Sequence, residues 1–95
     1  MLLTKNHTTE VYSIPQRRYY FEIVNSDDGY EGALILEKWM HPTVKVFISP
    51  DGDCNLSLTS RASFPDKERL LCIVREMDVR KVDNWLTSRN LSTHW

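Results

Sequence analysis

Apolar and polar residues alternate through the first two thirds of this chain, and a helical period replaces that alternation in the last third. Between Thr43 and Ser49, Val44, Val46 and Ile48 fall on one face, and Thr43, Lys45, Phe47 and Ser49 fall on the other. Across a turn, Asn55–Ser60 continues the first face with Leu56 and Leu58. The turn is Ser49-Pro50-Asp51-Gly52, where proline pre-sets the backbone and glycine tolerates positive φ, so the two segments predict a hairpin. Upstream, Arg17–Val24 alternates Tyr19, Phe21 and Ile23 against Arg18, Tyr20, Glu22 and Val24, and predicts a strand. Val11–Ile14 predicts a shorter one, stopped by Pro15. Asn25–Gly29 is rich in turn formers. Gly32–Met40 contains Ala33-Leu34-Ile35-Leu36, apolar on both faces, which suits a central strand or a helix fragment; the preceding Gly32 and the quick stop favour the strand. His41-Pro42 ends it, because the residue before proline is steered away from helix.

After Ser60 the period changes. Ser63 is a candidate helix cap, Pro65 suits a first turn, and Asp66 and Glu68 suit the positive end of a helix dipole. Leu70, Ile73, Val74 and Met77 then form a stripe that Leu71 widens. Val79, Val82, Trp85 and Leu86 are out of phase with it, and Asp78 can cap a second start. Two helices are expected, 64–77 and 79–88, with residues 1–9 and 90–95 frayed. Strands followed by helices imply an α+β fold. The expected architecture is a four- to five-stranded antiparallel meander in one domain spanning 1–95. One or two C-terminal helices pack on one sheet face, and the first is expected on the face that carries Tyr19, Phe21, Leu34, Leu36, Val44, Val46, Leu56 and Leu58.

Composition narrows the function classes. With 12 Lys and Arg against 13 Asp and Glu, the formal net charge is −1. That balance argues against indiscriminate binding to duplex DNA, whose affinity comes from neutralising many phosphates. Cys54 and Cys72 lack a CxxC spacing, and His7, His41 and His94 are scattered, so a structural zinc site is not expected. Two unpaired thiols are expected, with Cys72 buried on a helix. No apolar signal-peptide core follows Met1, and no apolar run approaches membrane-spanning length. A cytoplasmic location and no membrane partner are the expectation.

Catalytic chemistry finds little to stand on. Asp51-Gly52-Asp53-Cys54-Asn55 begins like a calcium loop, but Leu56 and Ala62 stand where the invariant glycine and the bidentate glutamate belong. Cys54 with His41 is the one nucleophile–base pair worth naming, and no local signature supports it. Asp27, Asp28 and Glu31 read as a solvated acidic turn, and the three glycines match no phosphate loop. The chain reads as a non-enzyme without a cofactor. Phe64-Pro65 is a candidate cis site, with trans as the default.

The second sheet face remains. Tyr20, Ile35, Trp39 and Phe47 lie there among Arg18, Glu22, Glu37 and Lys45. Three readings compete for it. The chain could cover the face itself, with the second helix (Trp85, Leu86) or with residues 1–14. It could bind a protein, self or foreign, since aromatic residues are enriched at interface centres. Or it could stack single-stranded nucleic acid, with Arg18 and Lys45 on phosphate. Arg18, Tyr20, Ile35, Trp39, Lys45 and Phe47 are therefore the candidate partner-binding residues. Arg75, Arg80, Lys81 and Arg89 form a secondary basic patch that could meet an acidic or phosphate-bearing partner. The order of elements resembles that of compact phage-encoded inhibitors of host enzymes and defence complexes. It resembles many unrelated domains as well, with no shared motif, and no residue is carried over from it. The expected function is a small protein-binding module that regulates or inhibits a larger protein by stoichiometric occlusion or scaffolding. Single-stranded nucleic acid binding is the alternative.

Overall fold

The computed structural model describes residues 9–37 and 42–91. Five antiparallel strands lie side by side in chain order: β1 (Thr9–Ser13), β2 (Tyr19–Ser26), β3 (Gly29–Leu36), β4 (Val44–Ile48) and β5 (Leu56–Ser57). Two helices follow, α1 (Lys67–Glu76) and α2 (Val79–Ser88). The fold is an α+β meander with C-terminal helices, as the hydrophobic pattern implies. No helix among the described residues is long and apolar enough to cross a membrane.

Local chemistry explains the connections. Between β1 and β2, Arg17 N–H donates to the Ile14 carbonyl at 3.2 Å across Pro15 and Gln16, and Gln16 holds φ +63°. Proline followed by a left-handed residue is the arrangement of a type II turn. β2 and β3 run to Ser26 and Gly29, so the expected loop shrinks to Asp27 and Asp28. The β4–β5 connection is wider than a tight hairpin. Ser49 N–H donates to the Asn55 carbonyl at 2.8 Å, and Gly52, Cys54 and Asn55 all carry positive φ.

β5 is shorter than the expected Asn55–Ser60 strand. The Ser57 hydroxyl accepts from the N–H groups of Thr59 (3.3 Å) and Ser60 (2.9 Å), which turns the chain out of the sheet. Leu58 is therefore 44% exposed and does not join the core.

The first helix also starts later than Ser63. Asp66 is the cap and accepts from Glu68 N–H at 3.0 Å, whereas the Ser63 hydroxyl donates to the Asp28 carbonyl at 2.7 Å. Asp78 caps α2 by accepting from Arg80 N–H at 2.9 Å. At the far end, Asn90 at φ +59° lets Leu91 N–H reach the Leu86 carbonyl (2.8 Å) and Asn90 N–H reach the Thr87 carbonyl (3.1 Å). These two bonds make a Schellman cap. Asn90 and Leu91 thus close the helix, contrary to the frayed tail expected from Asn90 onward; residues 92–95 lie outside the described residues.

One hydrophobic cluster joins the sheet to both helices. Tyr19, Phe21, Ile23, Leu34, Leu36, Val46, Ile48 and Leu56 supply the sheet side. Phe64, Leu70, Leu71, Val82, Trp85 and Leu86 supply the other. The second helix therefore packs on the core face, and Thr9–Ser13 extends the sheet edge. Neither of these two elements covers the second face; residues 1–8, which one reading of the sequence included in the cover, lie outside the described residues. Cys72 is exposed, against expectation, since it follows Leu71 by one residue and so points ~100° further round the helix. It is not bonded to Cys54. Every peptide bond among the described residues is trans, that of Phe64-Pro65 included.

A backbone bridge places the helices. β3 and β4 pair Ala33 with Phe47, and three more residues of that register would set Pro50 opposite Tyr30. Proline has no N–H to give to a ladder. β4 leaves the sheet before that point, and Phe64 takes the position instead. Tyr30 N–H donates to the Phe64 carbonyl at 2.8 Å, and Phe64 N–H donates to the Tyr30 carbonyl at 2.7 Å.

Gly29 permits this approach. It holds φ +127°, and a Cβ there would lie 2.7 Å from the Phe64 carbonyl oxygen. Gly52 holds φ +96° with nothing within 4 Å of a Cβ. Gly29→Ala should lower unfolding free energy by roughly 2 kcal/mol or more through strain and collision together. Gly52→Ala should cost less, because strain acts alone. Urea denaturation of both variants checks this, and equal losses would remove the collision from the account.

Candidate functional site

The helix-free face of the sheet holds four of the six candidate partner-binding residues, Tyr20, Ile35, Lys45 and Phe47. Trp39 lies outside the described residues. The cross-strand register sets Ser13, Tyr20, Ile35 and Lys45 in one row, and Val11, Glu22, Ala33, Phe47 and Ser57 in the next. Arg18, exposed, stands just before β2. The pleat sends every second residue to this side, so alternation alone brings these side chains together.

Burial separates them. Ile35 is only 4% exposed, between Tyr20 and Lys45, and Ala33 is buried between Glu22 and Phe47. The middle of the face is closed, and its reachable surface lies on the flanking side chains. Tyr20 is half-buried, and its hydroxyl donates to Glu37 Oε1 at 3.2 Å. Loss of hydration, then the Glu37 carboxylate, raises the Tyr20 phenol above its ordinary pKa. Val11 is 56% exposed on the edge strand. Lys45 is exposed.

Phe47 is neither fully open nor covered by a helix. The Arg61 guanidinium lies 5.1 Å from its ring centroid, and Arg61 Nε donates to Glu31 Oε1 at 2.8 Å. An arginine from the segment after β5 thus roofs the aromatic ring and is held by a carboxylate of β3. Sequence reasoning missed Arg61. No local pattern marks it, because its partners are 14 and 30 positions away in the chain.

At the β2 start, Ser13, Arg17, Arg18, Tyr19, Tyr20 and Glu37 line an open depression of about 360 Å³. Two of its lining residues, Arg17 and Tyr19, tie the sheet to α2. Asp83 of α2 accepts from the Tyr19 hydroxyl at 2.6 Å and from Arg17 Nε at 3.0 Å, with Arg17 Nη2 also at 3.0 Å. Burial, then the bond to Asp83, raises the Tyr19 phenol well above the ordinary tyrosine range. The Asp83 hydrogen bond and charge likewise raise Arg17.

The secondary basic patch divides. Lys81 and Arg89 share one side of α2 and line a cleft with Cys54, whereas Arg75 and Arg80 are exposed away from it. Among the described residues no three His, Cys, Asp or Glu side chains gather as metal ligands. His41, of the Cys54–His41 pair, lies outside the described residues.

Comparison of the chain with protein-family models, with curated proteins and with solved structures returns no match.

Removing the roof should be inexpensive. Arg61→Ala should cost no more than ~1 kcal/mol in unfolding free energy, the scale of one exposed cation–π contact or surface ion pair. Urea denaturation measures it, and a much larger loss would mean that Arg61 organises the fold. Tyr19 predicts a pH dependence. Its folded pKa lies above the unfolded value, so its contribution is whole below about pH 10 and is lost as pH rises through the folded value. Stability should fall above about pH 10, and Tyr19→Phe should flatten that fall. Thermal melts from pH 8 to 11 compare the two slopes.

Proposed function

We propose that this protein is a non-enzymatic binding module that engages a protein partner through the helix-free sheet face, and so regulates or inhibits a larger protein by occupying it. The observation that carries the proposal is the one-sided packing of the fold. Both helices cover one face, and the other presents Val11, Tyr20 and Phe47 beside charges of both signs. Half-buried aromatics held by neighbours lose little rotamer freedom when a partner arrives, which lowers the entropic cost of binding. Arg18, Lys45 and Arg61 against Glu22, Glu31 and Glu37 make a balanced rim that suits a protein surface. The same three carboxylates weigh against a nucleic-acid backbone, whose phosphates they would repel.

The test is affinity capture from the native host, identification of the captured protein by mass spectrometry, and titration of that protein with variants. Tyr20→Ala combined with Lys45→Glu should weaken binding by roughly thirtyfold or more, as loss of a central aromatic contact does. Arg75→Glu on the helical side should leave binding unchanged. A folded double variant that keeps wild-type affinity would sink the proposal.

A further inference from the structure

A second site lies away from the helix-free face, between α2 and the β4–β5 connection. Lys81, Trp85 and Arg89 follow one another at four-residue spacing along α2 and its C-cap, which makes them one stripe on the helix surface. With Asn84, Ser88 and Cys54 they line an open cleft of about 410 Å³. That is a volume small ligands occupy. No acidic side chain is among these six, and neither Lys81 nor Arg89 forms an ion pair among the described residues.

Trp85 gives the cleft its chemistry. The residue is 5% exposed, and its indole N–H is buried without an acceptor among the described residues. Buried donors nearly always have a partner, so an orphan donor on a residue that lines a cleft asks for one. The Arg89 guanidinium lies 4.0 Å from the Trp85 ring centroid, and its Nη1 donates to the Trp85 carbonyl (3.3 Å) and the Ser88 hydroxyl (2.9 Å). Both acceptors are neutral and leave its charge unmatched. The carbonyls at this end of α2 form the negative end of the helix dipole, and the hydrogen bonds they accept offset part of that charge. Trp85 O accepts from Ser88 and Arg89, and Leu86 O and Thr87 O accept in the helix cap.

We propose that this cleft binds an oxyanion. One carboxylate or phosphate oxygen accepts the Trp85 indole N–H, and Lys81 and Arg89 flank the charge. Entry of that oxygen requires side-chain rotation at the rim, where Lys81, Asn84, Ser88 and Arg89 are all exposed.

The experiment is nitrogen-15 NMR of the full chain, reading the tryptophan indole N–H signals. Trp85→Phe assigns the Trp85 signal among those of Trp39, Trp85 and Trp95. Sodium phosphate and sodium acetate are titrated separately, against sodium chloride at matched ionic strength. The Trp85 signal should move saturably in one or both oxyanions and not in chloride. Saturation in phosphate alone assigns a phosphate ligand, and in acetate alone a carboxylate. Lys81→Gln with Arg89→Gln, both exposed positions, should weaken that binding roughly tenfold or more, with signals distant from α2 unchanged. No saturable shift in either anion, or an unchanged affinity in the double variant, overturns the proposal.

Discussion

The backbone bridge between Tyr30 and Phe64 is the constraint on which the rest of the molecule depends. Two hydrogen bonds of 2.8 and 2.7 Å fill the part of the β3 edge that β4 abandons before Pro50. They also decide where the chain stands when it begins its helices. Phe64 enters the core, Pro65 and Asp66 follow, and α1 starts over the face that already carries Phe21, Leu34 and Ile48. Gly32 completes the fit: a Cβ there would lie 2.8 Å from Ile48 Cδ1 and 2.9 Å from Leu70 Cδ1, so a missing side chain gives α1 room against β3.

Packing both helices on one side makes the two sheet faces different in kind. The core face is closed by hydrophobic burial, the dominant favourable contribution to folding. On the other face Ala33 and Ile35 are buried between longer cross-strand neighbours, and aromatics and charges stand at the surface. Ion pairs stitch the layers at their margins. Lys67 of α1 meets Glu10 of β1, and Arg17 meets Asp83 of α2. Such half-exposed pairs add little stability, and their use lies in fixing how the layers sit. The tie through Tyr19 differs, because its ring is buried and its hydroxyl must find a partner.

The two candidate sites follow from the same arrangement. The helix-free face exists because α2 turns back over the core. The oxyanion cleft exists because that turn brings Lys81, Trp85 and Arg89 against the connection containing Cys54. Cys54 and Asn55 both hold left-handed backbone there, a conformation uncommon for cysteine and more readily taken by asparagine.

Alternation of residue type determined the strands, their core face and their opposite face, because side chains of a strand must point alternately to two sides. The change to a helical period determined the two helices and the break at Asp78. Local signals failed where a distant group competed for them. Ser63 carries a capping hydroxyl, yet Asp28 takes it, and Ser57 ends β5 before Leu58 can reach the core. Tyr20, Lys45 and Phe47 were legible as one face, whereas Arg61 over Phe47, Asp83 under Tyr19 and the orphan indole of Trp85 were not. Periodicity is a property of neighbours in the chain, and so it can be read from the chain. Which side chains meet across 30 or 60 positions depends on strand register, on where β4 leaves the sheet and on how the helices return. Only the assembled tertiary structure decides those.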